Sequence, residues 1–527
     1  MESSVSSGDA SSSRSRAVND PVLRNTLRYT ISAHEYASLH KYILSRSRVL
    51  RRATPTPTRV EKALQPPKGG DDYNARTVRH ALRVFVMTFL GMKGWDIVAK
   101  RMGKEEPSTG GKKKPFYKSP ALRLSISLST ILLLYRILFR FFTRLRVHLL
   151  DPQVEPFRAR NPRTAAMLTS PSAPAIGASF AGLALGIYPA QKMRVTIAIY
   201  TIFRALEFAY NFCEADGLIW GRKNGVKRER PWWFGSWMLQ PFAFGQLLHA
   251  AVFDRDCFPK PFGDLIFKSS SAYLHPRPQD WPSSVKWPQT SEIVDSLAQM
   301  ARLSWPAYVS PTLFPGKECN CATDISSSSS YHISLMRHIA PGRPILCPNL
   351  SHFLASDFSA LTVIPRFSSL YHNPLATLQR IITKALRMST FATGALSTAW
   401  ASICFFQQWL PRHVLATQRV FLGGFFAGLW AFVERRNGRG LFLYSARASV
   451  DSLWKVGVKR RWWKSMKGGD IWVFMLALMV TGVVYEKDAQ AIRETNWRKG
   501  VSWLQGQGWR DWGAEDDEDE ENKDKEE

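Results

Sequence analysis

Apolar positions gather in long runs parted by short polar stretches, and three runs, residues 164–191, 232–253 and 388–411, contain no Asp, Glu, Lys or Arg. Each is long enough to cross a bilayer as a helix, which takes about 20 residues. Shorter apolar runs at 124–135, 420–433 and 471–485 need flanking residues to do so. The pattern predicts an all-α chain with helices over 78–99, 119–149, 173–188, 193–213 and 232–253, and again over 385–407, 420–433, 441–456 and 471–485. Residues 353–370 are a weaker candidate, interrupted by Pro365. In the 119–149 helix, Arg136, Arg140 and Arg144 recur every fourth residue on one face, which must leave the lipid centre or cover a polar cavity.

Parts of this pattern occur twice, in the same order. Ala121-Leu122-Arg123-Leu124-Ser125 returns as Ala385-Leu386-Arg387-Met388-Ser389, Phe180-Ala181-Gly182-Leu183 as Phe426-Ala427-Gly428-Leu429, and Trp232-Trp233 as Trp462-Trp463. The offsets shrink from 264 to 246 to 230, as shorter loops in a second copy would make them. Before each Trp-Trp pair stand a Tyr, an Arg and an acid: Tyr200, Arg204 and Glu207, then Tyr444, Arg447 and Asp451. The expected fold is therefore a multi-pass α-helical membrane protein of two repeated helical units with disordered polar termini. Its parts are a polar basic N-terminal region (1–78, with one short helix near 35–46), a first membrane unit (79–258), a Pro/Ser-rich connector (259–350), a second membrane unit (351–490) and a polar acidic tail (491–527).

Composition qualifies this picture without overturning it. Mean hydropathy is only −0.19 because the ends and middle are polar. The net charge of +29 hides a more basic body: residues 514–527 hold ten acids and two lysines, and the rest of the chain carries +37. The cations at 112–114, 222–230 and 455–461 lie beside apolar helices, where they meet anionic lipid head groups rather than nucleic acid. Placing the loops at 222–230 and 455–461 on one side of the membrane favours parallel repeats with an even number of crossings between those loops, whereas counting 353–370 as a span reverses this. The 19 Trp fit interfacial anchors. Six scattered Cys imply no disulfide framework, and the Ser-rich first 16 residues hold no apolar core for a secretory signal.

Candidate chemistry is sparse. Arg204 with Glu207 and Arg447 with Asp451 can pair within a helix, either as clamps for buried cations or as part of a substrate or ion pathway. Gly182 with Gly186 and Gly424 with Gly428 are spaced for close helix contact, inside the bundle or across a dimer. Cys319, Cys321, His332, His338, Cys347 and His352 lack zinc-site spacing, so no metal and no cofactor is expected. His249 and Asp254 form a His-x4-Asp acyltransferase pattern, the alternative enzymatic reading, in which the His would act as base. There is no Gly-rich phosphate loop and no nucleophile elbow.

The stretch Gly424-Phe425-Phe426-Ala427-Gly428-Leu429, followed by Glu434-Arg435-Arg436-Asn437-Gly438-Arg439-Gly440, Leu443-Tyr444 and Arg447, resembles the transmembrane protein 135 family. Ala121 to Ser125, the 180–183 segment and Asp254-Arg255-Asp256-Cys257-Phe258-Pro259 carry the likeness into the first half. That family is itself similar to channel subunits of mitochondrial inner-membrane translocases and to peroxisomal membrane proteins. The resemblance implies a multi-pass protein of peroxisomal or mitochondrial membranes, tied to organelle dynamics and lipid handling, with no catalytic chemistry of its own. The middle departs from the family pattern, keeping only Cys319-Asn320-Cys321 and Cys347-Pro348. The expected partners are a bilayer with anionic head groups and other membrane proteins or a second copy.

Overall fold

In the computed structural model, residues 21–46, 54–64, 72–101, 119–223, 226–228, 230–259, 263, 290–305 and 374–511 are described. The cysteines at 319, 321 and 347, the 353–370 span candidate and the 514–527 acidic run lie outside them. Apart from a hairpin of two-residue strands, β1 (Arg222–Lys223) with β2 (Val226–Lys227), the regular structure among the described residues is helical.

The described helices are α1 (Pro21–Thr30), α2 (Ala33–Tyr42), α3 (Pro57–Leu64), α4 (Tyr73–Arg101), α5 (Pro120–Leu150), α6 (Glu155–Arg160), α7 (Pro162–Thr169), α8 (Ala173–Ser179), α9 (Gln191–Ala215), α10 (Leu239–Phe253), α11 (Thr290–Arg302), α12 (Pro374–Trp409), α13 (Gln418–Gly428), α14 (Arg439–Lys459), α15 (Gly469–Lys487) and α16 (Thr495–Gln505). Both small-residue helices tighten partway: α8 continues as a 3-10 helix over Phe180–Ile187, and α13 over Leu429–Glu434. Eight residues is long for that geometry. Local signals set several boundaries. Ser32 and Glu35 form a reciprocal capping box on α2, Pro120 opens α5, and Gly468 (φ 78°) and Gly506 (φ 92°) supply the left-handed backbone before α15 and after α16.

Among the described residues, two helices are long and apolar enough to cross a membrane, α5 and α15. A third span is possible only if α7 and α8 with its 3-10 extension count as one, and that pair is bent by 86°. The charge-free run at 164–191 is thus broken, because Pro171 and Pro174 interrupt helical hydrogen bonding around Ser170–Ser172. The run at 232–253 is shorter than it reads: Trp232 and Trp233 precede the helix, and α10 has 15 residues, about 22 Å against a hydrocarbon core of about 30 Å.

Compact packing divides the chain into 1–228 with 466–527, and 229–465, and these units do not coincide with the sequence repeat. In the discontinuous unit α5 packs on α8 and its 3-10 extension, these pack on α15, and α15 packs on α9. In the continuous unit α12 packs on α13 and its 3-10 extension, these pack on α10, and α10 packs on α14. The pairings correspond helix for helix: the helix after Trp462-Trp463 completes the set of α5, α8 and α9, and the helix after Trp232-Trp233 completes the set of α12, α13 and α14.

The polar ends are more ordered than their hydropathy suggests. Tyr36, Val60 and Leu64 form a small core among α1 to α3, and Arg28 and Arg79 clasp Asp72 at 2.9 and 2.7 Å. Burial opposes the charge of Asp72, but the hydrogen bonds and charges of the two guanidinium groups hold its carboxyl below the usual range. Beyond residue 490, Ala491, Ile492 and Val501 join Phe208, Val484 and Tyr485 in a core, and α16 lies on α5. There the buried Arg136 donates to the Trp503 carbonyl, its guanidinium 4.8 Å from the Trp503 ring centre, and Arg140 lies over the Tyr73 ring at 4.3 Å. On the arginine face of α5, Arg136 is therefore buried by protein and Arg140 half-buried, while Arg144 is exposed.

Candidate functional site: an apolar cavity among α10 to α14

The lining of this cavity follows helical arithmetic. On α12, Met388, Phe391, Ala392, Ala395, Leu396, Ala399, Trp400 and Ile403 recur at three- and four-residue steps; on α10, Phe244, Leu247, Leu248, Ala251 and Val252 do the same. Val420, Gly424 and Ala427 of α13, Leu441 and Ser445 of α14, and Val294 and Leu297 of α11 close the wall. Alanine and glycine at the middle of these stripes leave space that the flanking rings do not fill. The result is a cavity of about 230 Å³.

Among the described lining residues, only Ser445 and Trp400 have a side-chain nitrogen or oxygen. Ser445 Oγ is already engaged with Gln240, 2.5 Å from Nε2 and 2.8 Å from Oε1. A buried water needs two to four polar partners, so the cavity stays dry. A hydrocarbon occupant would supply the dispersion contacts that the lining otherwise lacks on this side.

Polar contacts hold the frame at both ends of α10. The Gln240–Ser445 pair ties its first turn to α14. At its last turn, the buried Asp254 accepts from Arg460 at 2.6 Å and lies 3.6 Å from Lys459, which also reaches Asp256 at 3.2 Å. The wall helix α11 is fastened by Arg255 to Asp295 at 2.8 Å, by Arg302 to the Phe253 carbonyl, and by the Trp305 indole to the Ala416 carbonyl at 2.9 Å. Sequence reading placed α11 inside an irregular connector, although its amphipathic spacing from Ile293 to Ala301 was visible.

The residues singled out by sequence fall around this frame and in the other unit. Gly424 and Gly428 bring α13 against α10: a methyl on Gly424 would sit 2.5 Å from the Phe244 carbonyl oxygen, and one on Gly428 2.5 Å from Pro241 Cα. In the other unit Gly182 faces Met475 and Gly186 faces Ile471 of α15. Each glycine pair thus meets residues three or four apart, in reverse order, on its partner helix. Arg204 donates to Glu207 and Glu494, both at 3.0 Å, with its guanidinium 5.5 Å from the Trp497 ring centre. Asp451 pairs with Lys455 one turn further along α14, while Arg447 lies 5.6 Å from the Tyr444 ring centre. His249 packs on Phe253, ring centres 4.7 Å apart, and Asp254 is spent on Arg460 and Lys459.

One polar pair escaped sequence reading. Arg194 of α9 donates to Asp470 of α15 at 2.6 Å, both side chains largely buried. Asp470 and Gln240 are 230 residues apart, as are the two Trp-Trp pairs, so equivalent first-turn positions tie the fourth helix to the third in both units. No group of three or more His, Cys, Asp or Glu able to hold a metal occurs among the described residues. Comparison with family models, with curated proteins and with solved structures finds no match to this chain.

Proposed function

We propose that this chain is a duplicated multi-pass membrane protein that holds apolar molecules within its helices, acting in lipid or solute handling in an organelle membrane and carrying out no catalysis itself. The observation that carries the reading is the dry cavity walled by α10 to α14. Membrane residence is supported by α5 and α15 and by their exposed apolar side chains, such as Leu134, Phe141, Trp472 and Leu476. Duplication is supported by the matching helix pairings, the two α-to-3-10 transitions and the equivalent ties at Gln240 and Asp470.

The choice of a peroxisomal or mitochondrial membrane rests on the motif resemblance alone, and so does a role in organelle dynamics. Basic flanks favour an anionic bilayer surface. The test is fractionation of tagged full-length protein with alkaline extraction. Retention in peroxisomal or mitochondrial membranes is expected, and release into the alkaline supernatant overturns the reading. The acyltransferase alternative draws on His249 and Asp254 sharing one helix end. It gains ground only if His249→Ala abolishes a lipid-modifying activity while insertion stays normal.

A further inference from the structure

The cavity has a shape as well as a chemistry. Its lining follows α12 for 15 residues, from Met388 to Ile403, about 22 Å at 1.5 Å per residue. Spread over that length, the 230 Å³ open to the centre of a water-sized sphere has a mean section of about 10 Å², and adding the sphere's radius of about 1.4 Å makes the passage about 6 Å wide from wall to wall. A tube this narrow takes one extended chain and rejects a fused ring system. Among the described residues its walls also hold no charged side chain with which to read a head group.

Resting on the function proposed above, we infer that the cavity is a binding site for a single unbranched hydrocarbon chain, recognised by its tail alone, with α11 as the wall that closes over it. Val294 and Leu297 face the chain, while the Arg255–Asp295 pair and the Trp305 indole, on contacts away from the lining, keep α11 in place. The chain belongs to a bilayer phospholipid or to a free fatty acid. Both present the same methylene surface.

The experiment uses full-length protein in phospholipid bilayers with three photoactivatable probes: a phosphatidylcholine carrying a mid-chain diazirine, a free fatty acid carrying the same group, and a diazirine sterol. Adducts are mapped by mass spectrometry. The straight-chain probes should label lining residues such as Leu247, Leu297 and Ala395; labelling by phospholipid or by fatty acid identifies the source. Ala395→Trp, which fills the tube, should reduce lining adducts at least fivefold and leave adducts on the exposed Leu134 and Leu476 unchanged. Ala399→Leu provides a milder filling if the tryptophan disturbs folding.

Adducts confined to outward-facing residues, or lining adducts undiminished in a folded filling variant, overturn the inference. Lining labelled as strongly by the sterol overturns the unbranched-chain assignment. Either result leaves membrane residence standing, because that is read separately from Leu134, Leu476 and alkaline extraction.

Discussion

Replacing single glycines by alanine should separate two kinds of close helix contact. At Gly424 the added methyl would lie 2.5 Å from the Phe244 carbonyl oxygen and 2.9 Å from Gly245 Cα, and at Gly428 it would meet Pro241 backbone at 2.5 Å. Backbone cannot rotate away, so α13 and α10 must move apart by nearly 1 Å to reach the ordinary range starting at 3.4 Å. Overpacking of this kind costs about 1–3 kcal/mol, and a gap of 0.5–1 Å forfeits about a quarter to a half of each lost dispersion contact. Alanine's better helix propensity returns about 1 kcal/mol. The net cost of Gly424→Ala should be about 1–2 kcal/mol, in the upper part of the difference between these terms because the clash is with backbone.

At Gly186 the nearest atom is Ile471 Cδ1 at 3.0 Å, the far end of a flexible side chain. That methyl can swing aside, so Gly186→Ala should lie within about 0.5 kcal/mol of wild type, the propensity gain offsetting a small adjustment. Gly182→Ala falls between them, with Met475 Cγ at 2.8 Å but Met475 Cα at 3.2 Å. The assay is equilibrium unfolding of the full chain in mixed detergent and lipid micelles, with proteolysis localising the loosened unit. If Gly186→Ala is as costly as Gly424→Ala, the distinction between backbone and side-chain contact is refuted.

Three further outcomes follow from the charges and the C-terminal helix. Asp470→Asn should destabilise the unit holding α15 by about 3–5 kcal/mol, because Arg194 is left buried without its counter-ion, whereas the double variant Arg194→Met/Asp470→Asn recovers much of that loss; Lys455→Met, in a more exposed pair, should cost under about 1 kcal/mol. Asp72 has a folded pKa below its unfolded one, so its contribution is complete above the ordinary carboxylate pKa and disappears as pH falls through the folded value; amide protection factors in α1 to α3, corrected for the intrinsic pH dependence of exchange, should fall selectively on acidification, and already at neutral pH in Asp72→Asn. Truncation after Asp488 removes α16 and uncovers Arg136, so protease resistance of the α5 region should fall, while truncation after Asp511 should leave it unchanged.

Much of the cavity wall was legible in the sequence. The steps from Met388 to Ile403 and from Phe244 to Val252 announce buried helix faces, and the small residues between them announce room. The polar ends were less legible. Tyr36, Val60 and Leu64 are too widely spaced to register as a core until α1 to α3 fold over one another, and α16 owes its place to Val501 and to Trp503 covering Arg136. Hydropathy averages over windows, and these segments bury only a narrow stripe.

By itself the sequence determined that the chain is helical, where its apolar faces lie, and that a Trp-Trp pair precedes a fourth helix twice. Tertiary structure alone decided which helix each face meets. An amphipathic stripe specifies that a surface must be buried, and the hydrophobic effect that buries it is non-directional. Shape and buried polar groups then choose among apolar partners: Gly424 and Gly428 fit the backbone of α10, Asp470 needs Arg194, and Gln240 needs Ser445. Those contacts set α15 among α5, α8 and α9, and α10 among α12, α13 and α14, an exchange no linear pattern records.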